Sequence, residues 1–102
     1  MDLVEPFVAL VIYPTTREAQ SRQADNLMRI AVQKLKLLPG FLGGHVYLSE
    51  DGESLVTLTE WSDRVSFQSF RQSEFGQAAV LLTAALHPKA YWLSQHAQIE
   101  AP

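Results

Sequence analysis

From Phe7 to Tyr13 the chain reads FVALVIY, apolar at every position and rich in β-branched and aromatic side chains. A short run apolar on both alternating sets predicts a strand covered on both faces. Pro14 stops it. Thr15 or Thr16 is placed to cap a helix, and Glu18 falls in its first turn, where the helix dipole favours an acid. Ala24, Leu27, Met28, Ala31, Val32 and Leu35 then recur at spacings of three and four. They predict one apolar stripe on a helix from about Arg17 to Leu38, closed by Pro39-Gly40.

Phe41 to Ser49 (FLGGHVYLS) reads as a second strand. Its Gly43-Gly44 pair suggests a bulge, or a close approach by another backbone or a ligand. Glu50-Asp51-Gly52-Glu53 makes a polar hairpin turn into a third strand, Ser54 to Trp61 (SLVTLTEW). Asp63 is positioned to cap a helix from Arg64 to about Arg71. A break near Ser73-Glu74 precedes another helical stretch, Phe75 to Leu86. Pro88 closes that, and Lys89 to Gln95 (KAYWLSQ) reads as a last strand.

The order is βαββαβ. It predicts an α+β, ferredoxin-like fold, with a four-stranded antiparallel sheet and helices on one face. With no linker, repeat or low-complexity tract, residues 1–102 read as one domain.

Strict alternation sorts the strands into faces. Phe7, Ala9, Val11 and Tyr13 oppose Val8, Leu10 and Ile12. Phe41, Gly43, His45 and Tyr47 oppose Leu42, Gly44, Val46 and Leu48. Leu55, Thr57, Thr59 and Trp61 oppose Val56, Leu58 and Glu60. No strand has the polar face of a half-wet sheet. The helix-free face, read as Val8, Leu10, Ile12, Val46, Leu48, Val56 and Leu58, is larger than a soluble monomer normally leaves open. A homodimer packed sheet to sheet is therefore expected.

Composition narrows the classes. Hydrophobic residues make up 47% and charged ones 19%, a globular balance with few charges. The net charge of −3 offers no footprint for nucleic acid or an anionic membrane. The apolar run at 7–13 is too short to span a bilayer, and Asp2 and Glu5 stand where a signal peptide would carry positive charge. A cytoplasmic protein is the expectation. The chain has no cysteine, so disulfides, thiolate metal sites and a Cys nucleophile are excluded. His45, His87 and His96 show no metal-ligand spacing, and no phosphate-binding or nucleophile-elbow motif occurs. Neither a metal nor a cofactor is expected.

Two stretches, FVALVIYP and LPGFLGGHVYLSEDGESLVTLTEWSDRVSFQSFRQSEFGQAA (residues 38–79), carry a family likeness. The Pro-Gly-Phe step, the strand ending in Glu-Trp and the Ser-Asp-x-x-Ser-Phe helix start resemble the antibiotic biosynthesis monooxygenase family. The resemblance implies a dimeric α/β barrel with a pocket between helices and sheet. It also implies oxidation of phenolic or quinol-type polyketides without metal or flavin. Trp61 matches a tryptophan that lines the pocket. Thr57 stands where polyketide oxidases carry Asn, and Tyr47 falls near a position where they carry His. Phe67 replaces their Tyr. A haem-degrading branch uses an Asn and an iron-ligating His, where this chain has Leu10-Val11 and Ala79-Val80. Those side chains can do neither job.

The expected catalytic set is His45, Tyr47, Trp61 and Thr57. His45 would act as base, because imidazole exchanges protons near neutral pH, and Tyr47 or Trp61 would be the donor. Phe67, Phe70 and Trp61 would bind a small aromatic molecule. The expected activity is cofactor-independent monooxygenation. The alternatives are a non-oxidative cyclase or isomerase, or a binding module without catalysis.

Overall fold

The computed structural model describes residues 6–102, with the side chains of Ala31, Val32 and Leu82 outside that description. In chain order it contains β1 (Phe7–Pro14), α1 (Gln20–Lys34), a 3₁₀ turn (Leu35–Leu37), β2 (Phe41–Leu48), β3 (Ser54–Trp61), α2 (Arg64–Gln72), α3 (Glu74–Ala84) and β4 (Lys89–Ser94). The strands form one sheet in the order β2-β3-β1-β4, every neighbouring pair antiparallel. This is the ferredoxin-like α+β plan that the element order predicts, with helices on one face.

The apolar run of β1 explains its central place. It pairs with β3 along Phe7↔Trp61 to Pro14↔Ser54 and with β4 along Phe7↔Ser94 to Ile12↔Lys89. In-register antiparallel partners share a face. Ala9, Val11 and Tyr13 of β1 therefore stand beside Leu55, Thr57, Thr59 and Trp61 of β3 on the helix side. Ala9, Trp61 and Phe67 form one buried cluster, and Tyr13, Ala24 and Leu55 form a second.

Helix α1 starts later than its sequence pattern predicts. The Thr16 carbonyl and hydroxyl accept from the backbone N–H of Ala19 (3.1 and 3.3 Å), so Thr16 caps a turn ahead of the helix. Glu18 lies in that turn. At the other end the helix tightens into the 3₁₀ turn. Ala24 is buried and Leu27 half-buried, as the stripe requires, whereas Met28 is exposed; Ala31 and Val32 fall outside the described side chains. Buried Gln20 ties the helix to the β2–β3 hairpin. Its amide donates to the carbonyls of Ser49 (3.0 Å) and Ser54 (2.8 Å).

The second helical region breaks at Ser73, which ends α2 and caps α3. Its hydroxyl donates to the Phe70 carbonyl (2.6 Å) and accepts from Gly76 N–H (3.0 Å). A Cβ on Gly76 would lie 2.0 Å from the Phe70 carbonyl oxygen, so only glycine lets the two helices meet this closely. At the start of α2, Asp63 accepts from Ser66 N–H at 2.7 Å, the cap expected there. That bond holds its carboxyl below the usual carboxylate range.

Strand β2 departs from strict alternation. Its register against β3 runs Phe41↔Trp61, then Gly43↔Glu60, Gly44↔Thr59, His45↔Leu58, Val46↔Thr57 and Tyr47↔Val56. Leu42 is the extra residue of a β-bulge and is 59% exposed. Gly43 adopts φ +157°, a backbone region that side chains strain. One unpaired residue reverses which face every later side chain meets. Val46 and Leu48 thus join the helix side, and His45 and Tyr47 join the helix-free side. This corrects the face assignment that uniform alternation predicts for β2.

Candidate active site: an aromatic chamber between sheet and helices

A cavity of about 680 Å³ lies between the sheet and the helices, within the size range of small-molecule sites. Val11, Thr57 and Trp61 form part of its floor, while Leu27, Phe70 and Ala79 contribute to its roof. Mostly apolar walls with a few hydroxyls suit a planar organic ligand.

The aromatic wall is continuous. Trp61, wholly buried, meets Phe41 edge-on (5.3 Å), Phe67 edge-on (5.6 Å) and Phe70 in a stack (5.3 Å). Phe67 meets Trp92 of β4 edge-on at 4.9 Å, and Phe70 meets Phe75 of α3 at 5.8 Å. Offset and edge-to-face pairs of this kind are favourable beyond the area they bury. They also hold the wall rigid. The indole N–H of Trp61 donates to the Thr59 hydroxyl at 2.9 Å, so that donor is already engaged.

Among the polar groups of the chamber, Tyr13 is buried. Burial pushes its phenol above the ordinary value of 10.0, and the neighbouring hydroxyls of Thr57 and Thr83 offset part of that rise. The Thr83 hydroxyl donates to the Ala79 carbonyl at 2.9 Å, leaving its oxygen free to accept. At neutral pH Tyr13 is therefore a protonated phenol among threonine hydroxyls, able to donate to a ligand oxygen. A smaller cleft of about 380 Å³ also reaches Tyr13 and Thr83.

Of the residues expected from the sequence, Trp61, Thr57, Phe67 and Phe70 come together at this chamber. His45 also lines the chamber, whereas Tyr47 does not. The bulge sends both to the helix-free face, where their rings stack on each other at 5.8 Å. His45 borders the cavity from edge strand β2 while its ring stacks on that of Tyr47. Tyr13, Thr83, Arg71, His87 and Trp92 are chamber residues that the sequence reading did not select. Tyr13 had a legible signal, since it alternates onto the face of Val11 and lies at the end of β1. Thr83 and His87 had none, because only helix packing brings them to the sheet. His87 stands just after α3 with φ 53°, the left-handed conformation, at the chamber's border. Among the described residues no group of three or more His, Cys, Asp or Glu is arranged to hold a metal ion. No helix among them is long and apolar enough to cross a membrane.

Fold and chamber together define a class: ferredoxin-like α+β proteins with an aromatic-walled cavity between sheet and helices. Within it, the sequence profile of antibiotic biosynthesis monooxygenases matches residues 6–80, and the chain belongs to that family. It is 25% identical over 63 residues to tetracenomycin-F1 monooxygenase of Streptomyces glaucescens, a match covering 62% of this chain. That alignment covers 56% of the relative, so this chain spans little more than half the length of that protein. The crystal structure of the monooxygenase from ActVA-Orf6 of Streptomyces coelicolor, bound to nanaomycin D, superposes with a TM-score of 0.73. It is 26% identical and covers 99% of this chain and 96% of its own. SnoaB, a cofactor-independent oxygenase from Streptomyces nogalater, superposes with a TM-score of 0.73 over 98% of this chain and 99% of its own. At 14% identity that likeness shows the fold.

Proposed function

We propose that this protein is a cofactor-independent monooxygenase that oxidises an aromatic, polyketide-like or quinol-type molecule inside the chamber. One observation carries the reading. An aromatic cavity large enough for fused rings, about 680 Å³, holds the buried phenol of Tyr13 beside Thr57 and Thr83. Family membership and the nanaomycin D bound to its Streptomyces coelicolor relative support it.

Without a cofactor, the substrate itself supplies the electrons. For an anthrone-type ring, a base first removes a proton from the activated CH₂, and the negative charge spreads onto the ring oxygen. The Tyr13 phenol and Thr57 hydroxyl hold that oxygen, a stabilisation that grows as charge develops. The carbanion gives one electron to dioxygen, and the radical pair then combines into a C–O bond. Protonation yields a hydroperoxide. Loss of the remaining C–H proton and of hydroxide breaks the O–O bond, leaving a carbonyl and one water. Dioxygen is the oxidant, the organic molecule the reductant, and the base is regenerated. Two imidazoles border the cavity, and His87, next to α3, is assigned as the acceptor of that proton in preference to His45, whose register position faces Leu58. Trp61 shapes the floor and excludes water.

The same proposal includes a homodimer. The helix-free face carries Leu10, Ile12, Val56, Leu58 and Leu93 in adjacent register positions. Leu93 is 40% exposed. A second copy laid sheet to sheet would cover this apolar surface.

The test is oxygen uptake, by electrode, over a panel of hydroquinones and anthrones, with Tyr13→Phe and His87→Ala beside the parent. Uptake by the parent that falls in both variants is the expected result. No uptake across the panel would turn the assignment to a non-oxidative cyclase or isomerase, or to a binding module, in the same chamber.

A further inference from the structure

The chain carries 11 acidic and 8 basic residues, yet the charged side chains bordering the chamber are Lys36 and Arg71, both basic. Among the described bordering residues there is no aspartate or glutamate. An acidic protein with a cation-only cavity rim attracts anions to that spot and repels them elsewhere.

Arg71 is also positioned. It lies in the last turn of α2, four residues after Phe67, and its guanidinium sits over the ring of Trp92 at 5.0 Å. Trp92 meets Phe67 edge-on at 4.9 Å, and Phe67 meets Trp61 edge-on at 5.6 Å. The aromatic wall therefore runs from the buried indole to a stacked arginine at the rim. A guanidinium lying on an aromatic face keeps its in-plane N–H donors free, in the fork geometry that matches a carboxylate.

We infer that the chamber's substrate is an aromatic acid, its rings against the Trp61–Phe67–Trp92 wall and its carboxylate on Arg71. The inference rests on the proposed aromatic chamber and adds the ligand's charge. A neutral ring system would bury its rings equally well but leave the arginine fork unused. Lys36 adds positive potential at the same cavity as a point charge without that fork.

Isothermal titration with two matched probes tests it: 1,8-dihydroxyanthraquinone bearing a 3-carboxylate, and the same nucleus bearing a 3-hydroxymethyl group. The parent protein is expected to bind the carboxylate about fivefold more tightly, as befits a partly exposed ion pair. That preference should shrink as salt is raised. In Arg71→Gln the two probes should bind alike, and Arg71→Lys should keep part of the preference. Equal affinities in the parent, or a preference that survives in Arg71→Gln, would overturn the inference while leaving the aromatic chamber standing. Failure of both probes to bind the parent would overturn the chamber reading and this inference with it.

Discussion

The indole N–H of Trp61 donates to the hydroxyl of Thr59, two residues earlier on the same face of β3, at 2.9 Å. Trp61 is wholly buried, so this bond satisfies a donor that could otherwise find no water. It occupies the indole donor, so that hydrogen bonding to a ligand falls to other chamber groups such as Tyr13, Thr57 and Arg71. Thr59→Val keeps the shape and removes the acceptor. It should cost about 1–3 kcal/mol, the penalty for leaving a buried N–H unpaired. Urea unfolding followed by tryptophan fluorescence checks it, and an unchanged midpoint would mean the indole has another partner.

Tyr13 makes stability depend on alkaline pH. Burial raises its phenol above 10.0, with Thr57 and Thr83 opposing part of the shift. The folded protein thus keeps a proton that the unfolded chain releases first. The contribution is complete below the unfolded value and is lost as pH climbs through the raised folded value. Urea midpoints measured from about pH 8 to about pH 11 should fall at the alkaline end, and less steeply in Tyr13→Phe. Parallel curves for the two proteins would contradict the burial of this phenol.

The bulge of β2 includes Gly43 in a conformation that side chains rarely adopt. A Cβ on Gly43 would meet no atom within 4 Å, so Gly43→Ala introduces no clash. The φ of +157° nevertheless disfavours any side chain. A loss of about 1–3 kcal/mol is expected from backbone strain, read by urea denaturation. A neutral result would show that β2 adopts regular alternation after all.

His87 holds a left-handed conformation, φ 53°, at the chamber border. His87→Gly should gain about 0.5–1 kcal/mol, since glycine adopts this region freely but loses more chain entropy on folding. Oxygen uptake, where the parent shows it, should drop. Higher stability with lower activity is the signature of strain kept for function; a variant both stable and fully active would remove His87 from the reaction.

Leu58 pairs with Leu10 on the helix-free face. Leu58→Arg should convert the proposed dimer to a folded monomer, by sedimentation velocity with circular dichroism as the fold control. Parent protein that sediments as a monomer at micromolar concentration would contradict the pairing of these faces.

The element order was legible because each run carries its own period and its own stop. β3 and its Ser54 and Trp61 ends, the Asp63 cap and the Ser73 break all follow from local chemistry. Thr57 and Trp61 could be grouped for the same reason, since strand alternation puts them on one face, whereas Phe67 was tied to them by its match to a family position. His45 and Tyr47 could not be placed, because the glycine pair announces a bulge without saying which residue the ladder skips. Thr83, His87 and Arg71 lie far along the chain from Tyr13 and carry no spacing that ties them to it.

What the sequence by itself determined is the succession of strands and helices, the glycine pair at which one ladder must yield, and the family. Those depend on each residue's neighbours in the chain. Tertiary structure alone decided which face His45 and Val46 occupy, and which side chains surround the Tyr13 phenol. The cause is physical: strand parity is set by hydrogen bonds to a partner strand, and a cavity is set by how helices distant in sequence settle on the sheet.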